Sequence, residues 1–349
     1  MDRIEKFIEE NNLPSKSRQH KQELLDFFNK IDRLAISLQH FERKLEREGQ
    51  VSEKRVQRIL NQFFKSAEQF ESAVGNQLLI NKTKRMFRAA VRSYIFKSNF
   101  LKRGFIKPRG YPGDFKIIEA MYNNKPISPG IGYVLDKYFL SNDYVKAVQD
   151  RKNSMRVILK EYISSSENNT LNILNLACGS CREIRELVES GPMPKIKVKF
   201  ILVDQDPQCL EFSEKQLRNY PTNISFKFIQ ADIIHFLRNP TAFVKKINKQ
   251  DLIYSIGLAD YLPSSILCLL FKQGFRLLSP KGRFIVAHKN TKVYSSPISD
   301  WGADWKFIPR DQEELENIVK ISLDKEAYLL DLFFRKSNLI FYMCLRRRI

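Results

Sequence analysis

Apolar residues recur at three- and four-residue spacing through the first third of the chain. Leu24, Leu25, Phe28, Ile31, Leu34, Ala35, Leu38, Phe41 and Leu45 form one stripe, which predicts a helix over residues 16–49. Gly49 ends it and Ser52 caps the next, which carries Val56, Ile59, Leu60, Phe63, Phe64, Ala67 and Phe70. A third helix is predicted over about 76–100, with Leu78, Leu79, Ile80, Met86, Phe87, Ala90, Val91, Tyr94 and Ile95 as its apolar positions. Stripes of this kind are the packing faces of a helical bundle. Periodicity stops at 104–114, GFIKPRGYPGD, where two prolines and three glycines in eleven residues exclude a regular element. This loop holds Arg109, Tyr111 and Asp114; it reads either as a plain connection in which Asp114 caps the helix at 115–122 or as a lid that holds an aromatic, a guanidinium and a carboxylate on a constrained loop. Helices are predicted at 115–122, 133–140 and 143–162. The polar stretch 164–170, SSSENNT, follows them and marks a boundary.

Beyond that boundary the period changes. Short apolar runs at 171–176, 197–203, 224–230, 251–256 and 282–287 alternate with amphipathic stretches at 182–190, 207–220, 233–246, 264–278 and 312–323. This alternation predicts a parallel, Rossmann-like α/β sheet. Two further strands, 328–334 and 339–345, are joined by the polar turn 335–338 and predict an antiparallel hairpin closing the sheet. The expected domains are therefore 1–165, all-α and including the lid 104–114, and 166–349, α/β.

Composition changes this picture little. An apolar fraction of 43% in 349 residues supports two cores. No apolar run is long enough to span a membrane. The acidic start, MDRIEKFIEENN, lacks a signal peptide's apolar centre, and the odd set of five cysteines suits reduced thiols in a cytoplasm. The net charge of +20 is compatible with nucleic acid, but acids are interleaved with the bases and only Arg346–Arg348 is a pure basic run. Peripheral contact with an anionic membrane or an acidic substrate is served equally well. The N-terminal helices suit a monomer or a homodimer.

The stretch 171–188, LNILNLACGSCREIRELV, carries the chemistry. A doubly buried strand leads through Ala177, Cys178, Gly179 and Ser180 into a helix whose first N–H groups face a ligand. A dinucleotide fingerprint is missing, because Ala177, Gly179 and Arg182 stand where G-x-G-x-x-G needs glycines, and no G-K-[ST] follows for a P-loop. Asp204 ends the second strand, where a carboxylate accepts ribose hydroxyls, and Asp232 follows the third, beside an adenine amino group. The loop, the two acids and the hairpin point to S-adenosylmethionine. Helix capping is the competing role for Asp204, Asp206 and Asp232. Cys178 and Cys181 form a C-x-x-C, which leaves thiol–disulfide exchange as a rival, and no second Cys/His pair supports a metal.

The runs NLACGSCREIREL, ILVDQDP, FIQAD, DLIYSIGLADYLP and LLSPKGRFIVAH, with the final hairpin, resemble class I S-adenosylmethionine-dependent methyltransferases. RGYPGDFKIIEAMY, ACGSCREI, LVDQDP, YSIGLADYL and DWKFIPR narrow the resemblance to the bacterial extracellular-factor subgroup, which makes the methyl ester of 3-hydroxypalmitic acid, a quorum-sensing signal. The resemblance runs from about residue 104 to the end. It implies that Ala177, Cys178 and Gly179 line the methionine part of the cofactor and that Asp204 holds the ribose. Gln205, Asp232 and Ile233 would flank the adenine, Ser255, Ile256 and Gly257 would lie under the sulfonium, and Tyr111 and Asp114 would close over it. Three positions depart from the pattern: Cys181 replaces a glycine, Asn175 stands where an acid is common, and His288-Lys289 stands where Gly-Asn is expected.

A carboxylate acceptor needs only an orienting cation or donor, for which Arg109, Arg151, Arg310 and His288 are candidates. A hydroxyl or amine acceptor needs a base, for which Asp260, Tyr261 and His288 are available. Tyr111 and Arg310 complete the expected catalytic set, and Tyr261, Trp301 and Trp305 suit either an apolar acceptor wall or core packing equally well. The expected activity is O-methyl transfer to a small or fatty-acyl acceptor. Methylation of RNA or protein, or a binding module with a degenerate cofactor site, stand as alternatives.

Overall fold

The computed structural model describes residues 2–191, 195–218, 220–238, 240, 247–335 and 337–348. Two compact units emerge, each assembled from separate stretches. One comprises Met1–Gly113, Asn123–Asn142 and Ser296–Lys306, and the other Asp114–Tyr122, Asp143–Ser295 and Phe307–Ile349.

The first unit is helical, with helices Lys21–Glu48, Glu53–Val74, Gln77–Ile95, Asn99–Ile106 and Gly130–Leu140. Leu24, Phe28, Ile31, Leu34 and Leu38 are all buried, as the spacing predicts. Gly49 closes the first long helix in the left-handed region, and the Ser52 hydroxyl accepts the Arg55 N–H to start the next. The single helix expected over 76–100 is two helices. Ser98 interrupts it: its hydroxyl donates to Asp136 (2.6 Å) and accepts the N–H of Leu101 (3.2 Å), capping a new helix that runs on to Ile106. Within that helix Gly104 lets Ala303 and Trp305 pack against its bare Cα. A Cβ at this position would sit only 3.1 Å from the Ala303 methyl carbon.

The tryptophans decide between the two roles expected of them. Trp301 is fully buried against Phe27, Phe70 and Phe87, with ring centroids 5.2, 6.4 and 5.6 Å away, and its Nε1–H donates to Glu71. Trp305 packs on Gly104 and Gly113. Both are core residues of the helical unit rather than an acceptor wall, because indole rings of this size gain most from full burial.

The second unit is a seven-stranded sheet: β1 Thr170–Leu176, β2 Lys197–Asp204, β3 Ile224–Gln230, β4 Gln250–Ser255, β5 Leu278–Lys289, β6 Tyr328–Phe333 and β7 Ile340–Arg347. Its order is β3-β2-β1-β4-β5-β7-β6. The first five strands are parallel, and β7 inserts antiparallel between β5 and β6. Leu174, Leu176, Ile253, Phe284, Val286, Phe341 and Met343 share one core cluster with helices Ser264–Leu277 and Gln312–Ser322. The helix expected over 233–246 is seen over Ile233–Arg238, while 239 and 241–246 lie outside the described residues, as does 336 in the hairpin turn. No described helix is long and apolar enough to cross a membrane.

Candidate functional site

Strand order reverses across β1, with β2 on one side and β4 on the other, which opens a crevice at the carboxyl ends of these strands. The loop leaving β1 fills its floor. Ala177, Gly179 and Cys181 have φ of +56°, +55° and +51°, alternating with residues of negative φ. Alternation of this kind turns backbone N–H groups into an anion-binding concavity. Nothing lies within 4 Å of a Cβ placed on Gly179, so φ alone makes glycine the favoured residue there, and the space beside it is open. No side chain caps the helix Arg182–Glu189 that follows, so its positive end faces the same space.

Asp204 binds this loop to β2. Its Oδ2 accepts the Gly179 N–H (2.9 Å) and its Oδ1 the Asp206 N–H (3.0 Å). Burial pushes the carboxyl up from its ordinary value, and the N–H groups of Asp206 and Gly179 oppose the rise. The Ser213 hydroxyl donates to the Gly179 carbonyl (3.0 Å), and the Cys178 N–H to the Val203 carbonyl (3.0 Å). Ser255, at the end of β4, donates across to the Leu176 carbonyl (2.9 Å), so its hydroxyl ties β4 to β1.

Three further acids are helix caps. Asp114 accepts the N–H groups of Lys116 and Ile117, Asp206 that of Gln208, and Asp232 that of Ile234. Gln205 is exposed and Ile233 is buried in the sheet core. Tyr111 belongs to the helical unit.

Two groups escaped the sequence reading. Glu119, on the helix Phe115–Asn123, accepts the Ser180 hydroxyl (2.6 Å) and the Arg182 guanidinium (2.9 Å), clamping the loop from the side. Its only sequence signal is membership of the run RGYPGDFKIIEAMY. Beneath the loop, Glu183 accepts bonds from Tyr254 (2.8 Å) and Asn175 (3.0 Å). Burial drives the Glu183 carboxyl up to about 7. An acid following a helix start reads as an exposed dipole partner, so its burial has no local signature.

Beyond β4 and β5 a second cluster gathers. Asp260 is 3% exposed, and its Oδ1 accepts the Lys289 N–H (2.8 Å) while its carbonyl accepts the Ile308 N–H (2.8 Å). Arg310 donates to the carbonyls of Ala259 and Leu262 and to the Ser264 hydroxyl, so it staples the turn that carries Asp260 and Tyr261. His288 is 1% exposed, with Nδ1 2.9 Å from the Lys289 carbonyl and 3.5 Å from Asp260. Tyr144 and Tyr261 each pack on Phe307, at 5.2 and 5.4 Å, and the Lys289 ammonium lies over Tyr294 and Phe307. Arg151, on the helix Asp143–Ser164, reaches Gly257, a Cβ on which would meet its Nη2 at 3.3 Å.

Cys178 and Cys181 are buried and unbridged, and burial pushes both thiols above their ordinary range, the opposite of an activated thiolate. Among the described residues no group of His, Cys, Asp and Glu is placed to hold a metal.

Residues 167–328 match the family described as the methyltransferase domain. The chain shares its fold with the structure of a possible exported protein from Bordetella parapertussis, at 13% identity and a TM-score of 0.54, over 96% of this chain and 99% of that one. It is also similar to the plantazolicin methyltransferase BpumL bound to S-adenosylhomocysteine, at 14% identity and TM-score 0.43, over 75% of this chain and 100% of that one. The magnesium protoporphyrin IX methyltransferase of Synechocystis PCC 6803 aligns over 59% of this chain and 88% of that one, at 10% identity and TM-score 0.42. No curated protein matches the sequence.

Proposed function

We propose that this S-adenosylmethionine-dependent methyltransferase is an O-methyltransferase acting on a small or fatty-acyl acceptor, the carboxylate of a 3-hydroxy fatty acid, and that its product is a methyl ester signal. One observation supports the reading: past the ends of β4 and β5 lies an aromatic cluster whose cations, Arg151 and Lys289, are only 8% and 6% exposed. Rings such as Tyr144, Tyr261 and Phe307 suit an acyl or small aromatic body. A nucleic-acid backbone needs cations at the surface.

The residues present fit the cofactor. The open space at Gly179 and the uncapped end of the helix Arg182–Glu189 would hold its amino-acid part. Asp204 retains lone pairs for a ribose diol after accepting two N–H groups, with Asp232 and Gln205 nearby in sequence for the base. When bound, S-adenosylmethionine supplies a methyl group already activated as a sulfonium. An ionised carboxylate takes that methyl without losing a proton, so this chain's residues have to orient it and exclude water. Arg310 and the Lys289 N–H hold the turn around Asp260 rigid for that purpose.

The test is transfer of a tritiated methyl group from the cofactor to a cell extract. Label in lipid-extractable, base-labile material is expected, and label in RNA or protein would overturn the reading.

A further inference from the structure

Arg151 is a buried guanidinium without a hydrogen bond. Its side chain is 10% exposed, its Nε is sealed from solvent with no acceptor, and among the described residues none of its N–H groups has an acceptor within bonding distance. The carboxylate that faces it, Asp260, is 3.8 Å from Nη1, beyond hydrogen-bond reach, and Asp260 already accepts the Lys289 N–H through its other oxygen. Burial alone would lower the guanidinium's affinity for its proton, but Tyr122, Tyr144, Asp260 and Tyr261 more than offset this, so the charge is kept. A charged donor sealed from water without an acceptor, as Nε is here, is costly, and proteins rarely keep one. The position is informative too, because Nη2 lies against Gly257, just past the end of β4 and next to the cofactor crevice.

We propose that Arg151 is the anchor for the acceptor, its planar fork binding an anionic oxygen pair beside Gly257 and selecting carboxylates over neutral analogues. The proposal rests on the O-methyltransferase reading and adds to it the residue that recognises the acceptor. A guanidinium matches a carboxylate through two parallel hydrogen bonds, which a single ammonium cannot reproduce. Asp260 then acts on the acceptor through Arg151, setting its orientation without occupying its donors.

The experiment is calorimetric titration of 3-hydroxyhexadecanoate and its primary amide into protein saturated with S-adenosylhomocysteine, for the unchanged chain and for Arg151→Met and Arg151→Lys. The unchanged chain is expected to prefer the acid, and Arg151→Met to bind it roughly 10- to 100-fold more weakly while holding S-adenosylhomocysteine unchanged. Arg151→Lys should recover part of the affinity and little of the preference over the amide. Equal binding of the acid by Arg151→Met and the unchanged chain overturns the role of Arg151 while the methyltransferase reading stands. Failure of the unchanged chain to bind the acid, with S-adenosylhomocysteine bound normally, overturns the acyl-carboxylate acceptor and the anchor together. Should Arg151→Met not fold, Arg151→Met/Asp260→Asn removes both charges and is read in the same way.

Discussion

Replacing Asp204 by Asn changes one atom in a buried carboxylate that is 7% exposed. In the folded chain the carboxylate accepts the Gly179 N–H at 2.9 Å and the Asp206 N–H at 3.0 Å. The amide can accept only one of these, leaving the other N–H facing an NH2 group. An unsatisfied buried donor costs about 1–3 kcal/mol. For a domain of this size that lowers Tm by roughly 2–10 °C. The effect on cofactor binding adds to this. A hydrogen bond to a charged group contributes about 1.5–3 kcal/mol, so losing the charge proposed to hold the ribose predicts a Kd for S-adenosylhomocysteine raised roughly 10- to 100-fold. Calorimetric titration of the folded variant measures it, with the Tm recorded alongside. If the variant folds and binds S-adenosylhomocysteine within about twofold of the unchanged chain, Asp204 is only a strut for the loop and the ribose assignment is wrong.

Other outcomes follow from the same geometry. Glu183 has a carboxyl raised from 4.5 to about 7 by burial, so the folded state binds its proton more tightly than the unfolded state, and stability falls as pH rises between those values. The fall is on the order of 3 kcal/mol, and Glu183→Gln should remove it; denaturant melts at pH 5 and pH 8 with the same difference in both proteins would contradict this. Glu119→Ala removes the partner of Ser180 and Arg182 and should weaken cofactor binding by roughly 3- to 20-fold through loosening of the loop, read by the same titration. Because burial keeps its thiol protonated, Cys178→Ser should retain methyl transfer within about threefold, and a complete loss would revive thiol chemistry. Trp301→Ala should cost about 3–5 kcal/mol of stability in the helical unit, seen as a lowered Tm, because a fully buried indole leaves a cavity.

The sheet was legible because a strand buried on both faces leaves a dense apolar mark. Leu171, Ile173, Leu174 and Leu176 are each no more than 1% exposed. The loop that follows was legible from its small residues, although Ala177 and Cys181 adopt left-handed φ where glycine is the usual choice. What stayed hidden depends on contacts between residues far apart in sequence. Glu119 lies 61 residues before Ser180, and Trp301 bonds Glu71 across 230 residues. Residues 296–306 carry Ile298, Trp301 and Trp305 at three- and four-residue spacing, but a stretch this short, which forms only a π-helical turn at Ile298–Gly302, carries no local sign of the helical unit it completes. Ser98 shows the same limit at shorter range: a polar residue in a helical stripe reads as an exposed position until Asp136 is seen to hold its hydroxyl.

The central claim is that S-adenosylmethionine rests on the loop after β1 with its sugar at Asp204. A crystal structure of the protein grown with S-adenosylhomocysteine tests this most directly. The account predicts the nucleoside over residues 177–182, with both ribose hydroxyls within hydrogen-bond distance of the Asp204 carboxylate. A ligand bound elsewhere, or ribose hydroxyls out of reach of Asp204, would contradict it.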